Sequence, residues 1–551
     1  MANCIVNHQE RQLRYSQIDI EIATHVEVIR KLYTRRNMLS PLCSFPAEVL
    51  SEIFTFCVPL SDFVRIRSRQ LLDLTHVCRR WREIALDFPR LWSSVDVGVL
   101  SKQLVLAMLE RARESPIILE VFVAPTDHSR DLGCADDLEL TNDLELLKTV
   151  FSRLHQICEL SVDFPPSYAR TLAEYLSSST PILQELTLVA EPPVLVPLSQ
   201  PLPDSMPRLD VLTLTSCAFP WDSPIYGRLT QLHLACLLDD LSPTPEELWI
   251  TLQSATSLEV LTVDWCFGQL DAQPAAWDTP KLLDLPRIKY IRMDEAFLSY
   301  VNFFSRVRIP PYAHLSISSL LAVEDTEFTP PDFPPISPDF LSIHRAEQGI
   351  SCNTLQIKLD KISFECSIHD GSLDHEYKCN HGDSIWDKCR VFLDHKIAYE
   401  GGETIPISPF RSLCYNSPLF SIHTAELIVT QDYLGDIPWC DIFIALPRMQ
   451  CLRATLTSTI LRQMFETLNP RSGALHVSQL REMSLKGGGN PRNPKRLGEC
   501  IADALEQRSL VGTVLDKLTG KGIYLPEPYF SKVECVVKDI KGFSGIDSYA
   551  V

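Results

Sequence analysis

No run of about 18 uncharged apolar residues occurs in this 551-residue chain, so no helical membrane span is expected. The opening stretch MANCIVNHQERQLRY lacks an apolar core of signal-peptide length. Eighteen cysteines are scattered singly from Cys4 to Cys535 without one CxxC pair, which disfavours a disulfide framework and a paired zinc knuckle. Reduced thiols acting as small buried hydrophobes, in cytoplasm or nucleus, are the expectation. Positive charge is short as well: 51 Lys and Arg against 70 Asp and Glu leave a net −19, which argues against a general nucleic-acid binder. No GxSxG, Rossmann fingerprint or GK[ST] phosphate loop appears, and LKGGGNPRNPKR (485–496) reads as a basic surface turn. No nucleophile has a motif-placed base, so no catalysis and no cofactor are expected of the chain itself.

What is present is 45% hydrophobic and 22% charged residues, the balance of a folded chain long enough for more than one structural unit. IDIEIATHVEVIRKLY (18–33) sets Ile18, Ile22, Val26, Ile29 and Tyr33 at three- and four-residue steps, an amphipathic helix. It is short for a coiled coil, so packing on the next domain is expected, with self-association as the alternative. In SPLCSFPAEVLSEIFTFCVPL (40–60), Pro46 and Glu48 suit a helix start, and Val49, Leu50, Ile53, Phe54 and Cys57 form a wide apolar stripe. After a loop over SDFVRIRSRQ (61–70), helical spacing resumes through Leu74, Val77, Cys78, Trp81, Ile84 and Ala85, and Pro89 stops it. Residues 65–82 carry Arg65, Arg67, Arg69, Arg79, Arg80 and Arg82 against one acid, Asp73. A local basic patch on an acidic chain points to an acidic partner or to a solvated face.

FPAEVLSEIF followed by LTHVCRRWREIALDFPRLW resembles an F-box, in which a Leu/Phe-Pro-x-Glu-Ile/Val-Leu opening precedes a Val-Cys-Arg-Arg-Trp core and a closing Leu-Trp. The helix before it and the SPLCSFP junction are similar to those of fungal F-box proteins. The resemblance implies a three-helix module that docks on the acidic Skp-type adaptor of cullin-based ubiquitin ligases. Carried over residue by residue, it makes Pro46, Val49, Leu50, Ile53 and Trp92 the adaptor-binding positions. Trp81 is expected in the core.

From about residue 155 a loose LxxLxL pattern recurs: ICELSV (157–162), LQELTL (183–188), LDVLTL (209–214), LTQLHL (229–234), LEVLTV (258–263) and IKYIRM (288–293). Weaker versions begin at 313, 353, 425, 449 and 480. The spacing is that of leucine-rich repeats. Two units extend to Cys217 and Cys266, where a turn would need its backbone groups satisfied. The expected class is α/β: residues 1–39 an amphipathic helix, 40–97 an F-box, and 98–551 an irregular leucine-rich-repeat-like solenoid. Such a solenoid is a curved parallel sheet with short helices on its convex side. VEDTEFTPPDFPPISPDF (323–340) holds five prolines and five acids, so an interruption is expected near 323–400.

Leu212, Leu214, Leu261 and Val263 should face the core, opposite Asp210, Thr213, Glu259 and Thr262. Trp221 and Phe267 lie in the following loops, as rim anchors for a protein client or as caps between repeats. Residues 366–395 gather Cys366, Cys379, Cys389, His369, His375, His381 and His395, yet the spacing lacks zinc knuckles and HEYKC (375–379) misses HExxH at its last position. A divergent repeat with a polar loop and no metal is expected. The sequence thus reads as a non-catalytic substrate receptor of a Skp–cullin–F-box ligase, or as an adaptor-binding scaffold that builds no ligase. A hydrolase hidden in 366–395 is the remaining alternative. Neither nucleic acid nor membrane is an expected partner.

Overall fold

A computed structural model describes residues 2–58, 64–123, 144–196, 206–237, 241–267, 283–296, 306–310, 313–322, 354–359, 363–369, 391–400, 422–429, 439–472, 477–488 and 494–543, with 299, 303 and 437. The chain is mixed α/β, with helices at its N-terminal end and a large parallel sheet. It divides into two compact units, residues 1–192 with 196–209, and 193–195 with 210–551.

The first unit opens with α1 (Ala2–Met38), a 37-residue helix. Contrary to the expectation that it packs on the following domain, none of residues 11–38 is buried. A short turn α2 (Pro41–Ser44) leads to α3 (Ala47–Cys57), which starts on Pro46 in an extended conformation and carries Glu48 in its first turn. Next come α4 (Val64–Val77) and α5 (Arg79–Leu86). Two sequence expectations are corrected here. Most of the segment read as a loop, from Val64 onward, is the first half of α4. The helical spacing that looked continuous over 71–88 is broken at Cys78, whose extended backbone (φ −159°, ψ 168°) caps α5. Periodicity cannot see that break, because Cys78 keeps its place in the apolar stripe on both sides.

Four parallel strands complete this unit: β1 (Ser94–Val97), β2 (Ile117–Phe122), β3 (Ile157–Phe164) and β4 (Glu185–Leu195), hydrogen-bonded in that order. Helices α6 (Lys102–Ala112), α7 (Leu144–Phe151) and α8 (Ala169–Leu176) lie between successive strands. Leu119, Leu160 and Leu186 are register partners, so the buried positions form a ladder across the sheet. The sequence reading missed β1 and β2, since their apolar positions alternate without the LxxLxL signature.

In the second unit every recurrent segment from 209 onward overlaps a strand. The strands are β5 (Val211–Ala218), β6 (Gln231–Ala235), β7 (Val260–Asp264), β8 (Leu283–Asp284), β9 (Tyr290–Ala296), β10 (Val307–Arg308) and β11 (His314–Ala322). They continue with β12 (Thr354–Leu359), β13 (Ser363–His369), β14 (Val391–Glu400), β15 (Thr424–Val429), β16 (Cys451–Thr457), β17 (Glu482–Gly488), β18 (Lys517–Lys521) and β19 (Asp539–Lys541). Pairing runs β5-β6-β7-β9-β11-β14-β13-β12-β15-β16-β17-β18-β19. All pairs are parallel except those of β13, which runs antiparallel to both neighbours. β8 and β10 pair separately. Leu212, Leu232, Leu261, Ile291 and Leu315 stand in one register row and are all buried. Helix α9 (Pro245–Ser254) lies between β6 and β7; Thr244 and Glu247 close a capping box at its start. The proline-rich 323–340 segment lies outside the described residues.

Candidate functional site

Helix α3 has two apolar faces rather than one stripe. Its inner face buries Leu50 (0% exposed) and Phe54, and the Phe54 ring packs 4.9 Å from Trp81. Trp92 is equally interior: its indole Nε1–H donates to the Ala85 carbonyl at 2.7 Å, and the Arg111 guanidinium sits 4.7 Å above its ring. Two of the five expected contact positions, Leu50 and Trp92, are thus core in this chain. Trp81, expected in the core, is half-buried against Phe54, and the Cys78 thiol accepts its backbone N–H at 3.5 Å.

The outer face is different. Val49, Ile53 and Phe56 follow one another at four- and three-residue steps beyond Phe45 and Pro46. Val49 is 42% and Phe56 83% exposed; Phe45 and Pro46 are also exposed, and Ile53 is half-buried. Phe45 and Phe56 were missed because each falls beside the stripe that the sequence marks most clearly. Arg80 fixes the entry to α3 by donating to the Phe45 carbonyl at 2.7 Å. Elsewhere in this stretch Arg69, Arg79, Arg82 and Arg90 are exposed, Arg79 against Glu83 (3.0 Å) and Arg90 near Glu52 of α3 (3.9 Å). Such exposed pairs contribute little to stability. Burial and the neighbouring Cys78 push the Cys43 thiol pKa up.

In the second unit Leu212, Leu214, Leu261 and Val263 are buried, while Thr213 and Thr262 lie half-buried on the opposite face. Trp221 and Phe267, read as rim anchors or as caps between repeats, are both buried. Trp221 stacks on Tyr226 at 5.5 Å and donates its indole N–H to the Leu241 carbonyl at 3.3 Å. Phe267 is fully buried and stacks 5.9 Å from Phe303. Both rings are buried, and large aromatic rings contribute much apolar area to a core.

Among the described residues of this unit, Trp265 is exposed (44%), at φ 53°. Ser216, within β5, and Cys236, just after β6, hold the same left-handed conformation at the equivalent register step, each following a residue aligned with Asp264. Backbone bonds hold the corner: Cys236 N–H donates to the Asp264 carbonyl at 2.7 Å and Trp265 N–H to the Asp294 carbonyl at 2.8 Å. The Cys266 thiol donates to the Asp264 carbonyl at 3.2 Å, and buried Glu295 accepts from the Cys266 and Phe267 amides. A non-glycine residue in this region costs about 1–3 kcal/mol, and no sequence signal marks it. On the polar face, burial pulls the His233 pKa down, while burial and Asp264 push Asp294 up.

No group of three or more potential metal ligands occurs among the described residues. Cys366 and His369 lie on β13 and His395 on β14, whereas His375, Cys379, His381 and Cys389 fall outside the described residues. No helix among the described residues is long and apolar enough to cross a membrane.

A family model described as F-box-like matches residues 42–97, the span from α2 through β1. No curated protein matches the chain. Residues 42–97 are therefore an F-box-like domain, a module that points to a Skp-binding role in ubiquitin-ligase complexes.

Proposed function

We propose that this chain is the substrate-recognition subunit of a Skp–cullin–F-box ubiquitin ligase. The observation that carries the reading is the F-box-like match at 42–97, together with the exposed strip Phe45, Pro46, Val49, Ile53 and Phe56. An exposed apolar strip on a domain that also exposes Arg69, Arg79, Arg82 and Arg90 suits an acidic adaptor: charge speeds encounter, and buried aliphatic and aromatic groups hold the complex. Leu50 and Trp92 act from beneath, by fixing the angle of α3. The chain transfers no group itself. It raises the local concentration of a client beside a conjugating enzyme, and positioning alone accelerates a bimolecular step strongly.

Residues 98–551 form the client-binding part in this reading, as a leucine-rich-repeat-like solenoid. Its recognition face is the polar side of the sheet, with Thr213, His233, Thr262 and Arg292, and Trp265 is its aromatic anchor. Trp221 and Phe267 brace that face rather than touch the client. Affinity purification of the full chain from native cells with the proteasome blocked tests this. Adaptor, cullin and an accumulating client should be recovered together. Adaptor without cullin would favour a scaffold that binds the adaptor outside a ligase, and neither would overturn the proposal.

A further inference from the structure

Helix α1 is 37 residues long, about 55 Å at 1.5 Å per residue, and none of its residues 11–38 is buried among the described residues. Helices in proteins derive most of their stability from packing an amphipathic face. The local support here is slight: an Arg30–Glu27 pair at 3.9 Å, Arg36 over Tyr33 at 4.9 Å, and hydroxyls of Ser16, Thr24 and Thr34 bonded back one turn. Tyr15, Ile18, Ile22, His25, Ile29 and Leu32 alternate at three- and four-residue steps, the a and d positions of three heptads. Ile22 is 55% and Leu32 56% exposed, and the other apolar members are exposed too. Val26 and Tyr33 widen the stripe on one side, while Leu13, Ile20 and Val28 lie off it.

We infer that α1 pairs with α1 of a second copy of this chain as a parallel two-stranded coiled coil. Three features of the seam select this occupant. A seam of heptad spacing matches itself, since a meets a and d meets d when two copies align in parallel. Ile22 and Ile29 at a, with Leu32 at d, are the β-branched and γ-branched choices that favour two parallel strands. The flanks are complementary only in that orientation: Arg14 at g faces Asp19 at e of the second copy, twice by symmetry. An antiparallel pair about the same centre sets Arg14 against Arg35. Three heptads bring about twelve a, d, e and g residues per helix into the seam, fewer than the roughly 20–30 a side of a standard stable interface. The association is therefore concentration-dependent.

Sedimentation equilibrium of the full chain over a dilution series tests this. The expected mass rises from the 62.4 kDa monomer toward about 125 kDa for the symmetric pair. Ile22→Asp with Ile29→Asp should abolish the dimer, with adaptor binding through 42–97 retained. Asp19→Arg should raise the dissociation constant about tenfold or more, and Arg14→Asp added to it should restore the wild-type value. A wild-type mass fixed at the monomer overturns the proposal, as does a dimer indifferent to the Ile22/Ile29 pair. Failure of the second charge change to rescue the first overturns the parallel alignment. A stripe that is covered by the adaptor would appear as adaptor binding lost in the Ile22/Ile29 variant, with no dimer at any dilution.

Discussion

Replacing Phe54 by Ala separates the two faces of α3 and has a magnitude that the structure fixes. The Phe54 ring is fully buried against Trp81, at a centroid distance of 4.9 Å and an angle of 54°. Removing a buried phenylalanine costs about 3–5 kcal/mol, of which the lost ring contact accounts for about 0.5–1.5 kcal/mol. At about 0.05–0.15 kcal/mol per residue, a segment the size of 42–97 is stabilised by only about 3–8 kcal/mol. Phe54→Ala should therefore bring the F-box-like domain close to unfolding. Phe56→Ala, two residues away and 83% exposed, should change stability by no more than about 0.5 kcal/mol. Two units make a single melting temperature a poor readout, so hydrogen exchange by peptide is the assay. Amides of α3 and α5 should lose about 100-fold or more of their protection in Phe54→Ala, while β5 to β7 keep theirs. Equal effects of Phe54→Ala and Phe56→Ala would refute the division of the helix into a core face and an outer face.

Trp221→Ala should destabilise the second unit by about 3–5 kcal/mol, because it removes the stack on Tyr226 and leaves the Leu241 carbonyl without its donor; wild-type resistance to proteolysis would contradict this. Burial pushes the Cys217 thiol up to about 12 and also raises Cys266, so alkylation of native protein at mildly alkaline pH should spare both and mark exposed Cys57, Cys236, Cys440 and Cys535. Mass spectrometry that finds Cys217 labelled as fast as Cys57 would place it wrongly. Metal analysis should find no stoichiometric zinc, and a chelator should leave stability unchanged, since a structural site contributes folding energy directly. A ratio near one zinc per chain would instead make Cys366, Cys379, Cys389 and His381 ligand candidates.

The F-box resemblance was legible because apolar, basic and aromatic residues recur there in order and spacing, and the family match falls on the same stretch. The strand positions were legible for a different reason. One strand per recurrent segment brings Leu212, Leu232, Leu261 and Ile291 into a register row that any one segment would mark weakly. Which face of α3 turns inward was hidden. Val49 and Leu50 are adjacent in sequence and equally apolar, and only the packing of Phe54 on Trp81 decides between them. Trp221 and Phe267 stayed open between anchor and cap because an aromatic in a loop after a strand has the same sequence signature whether it covers the core or stands free. Trp265, the one of the three that is exposed, owes its position to a left-handed backbone that composition does not encode.

The most direct test of the account is the affinity of the full chain for a purified Skp-type adaptor, measured for wild type and for Val49→Asp with Ile53→Asp. Both positions lie on the outer strip, where a new carboxylate would be buried unpaired only once the complex forms. The account predicts tight binding by the wild type, a loss of about 100-fold or more in the variant, and unchanged protection of the α3 amides. An unaltered affinity in a folded variant, or no binding by the wild type, would contradict it.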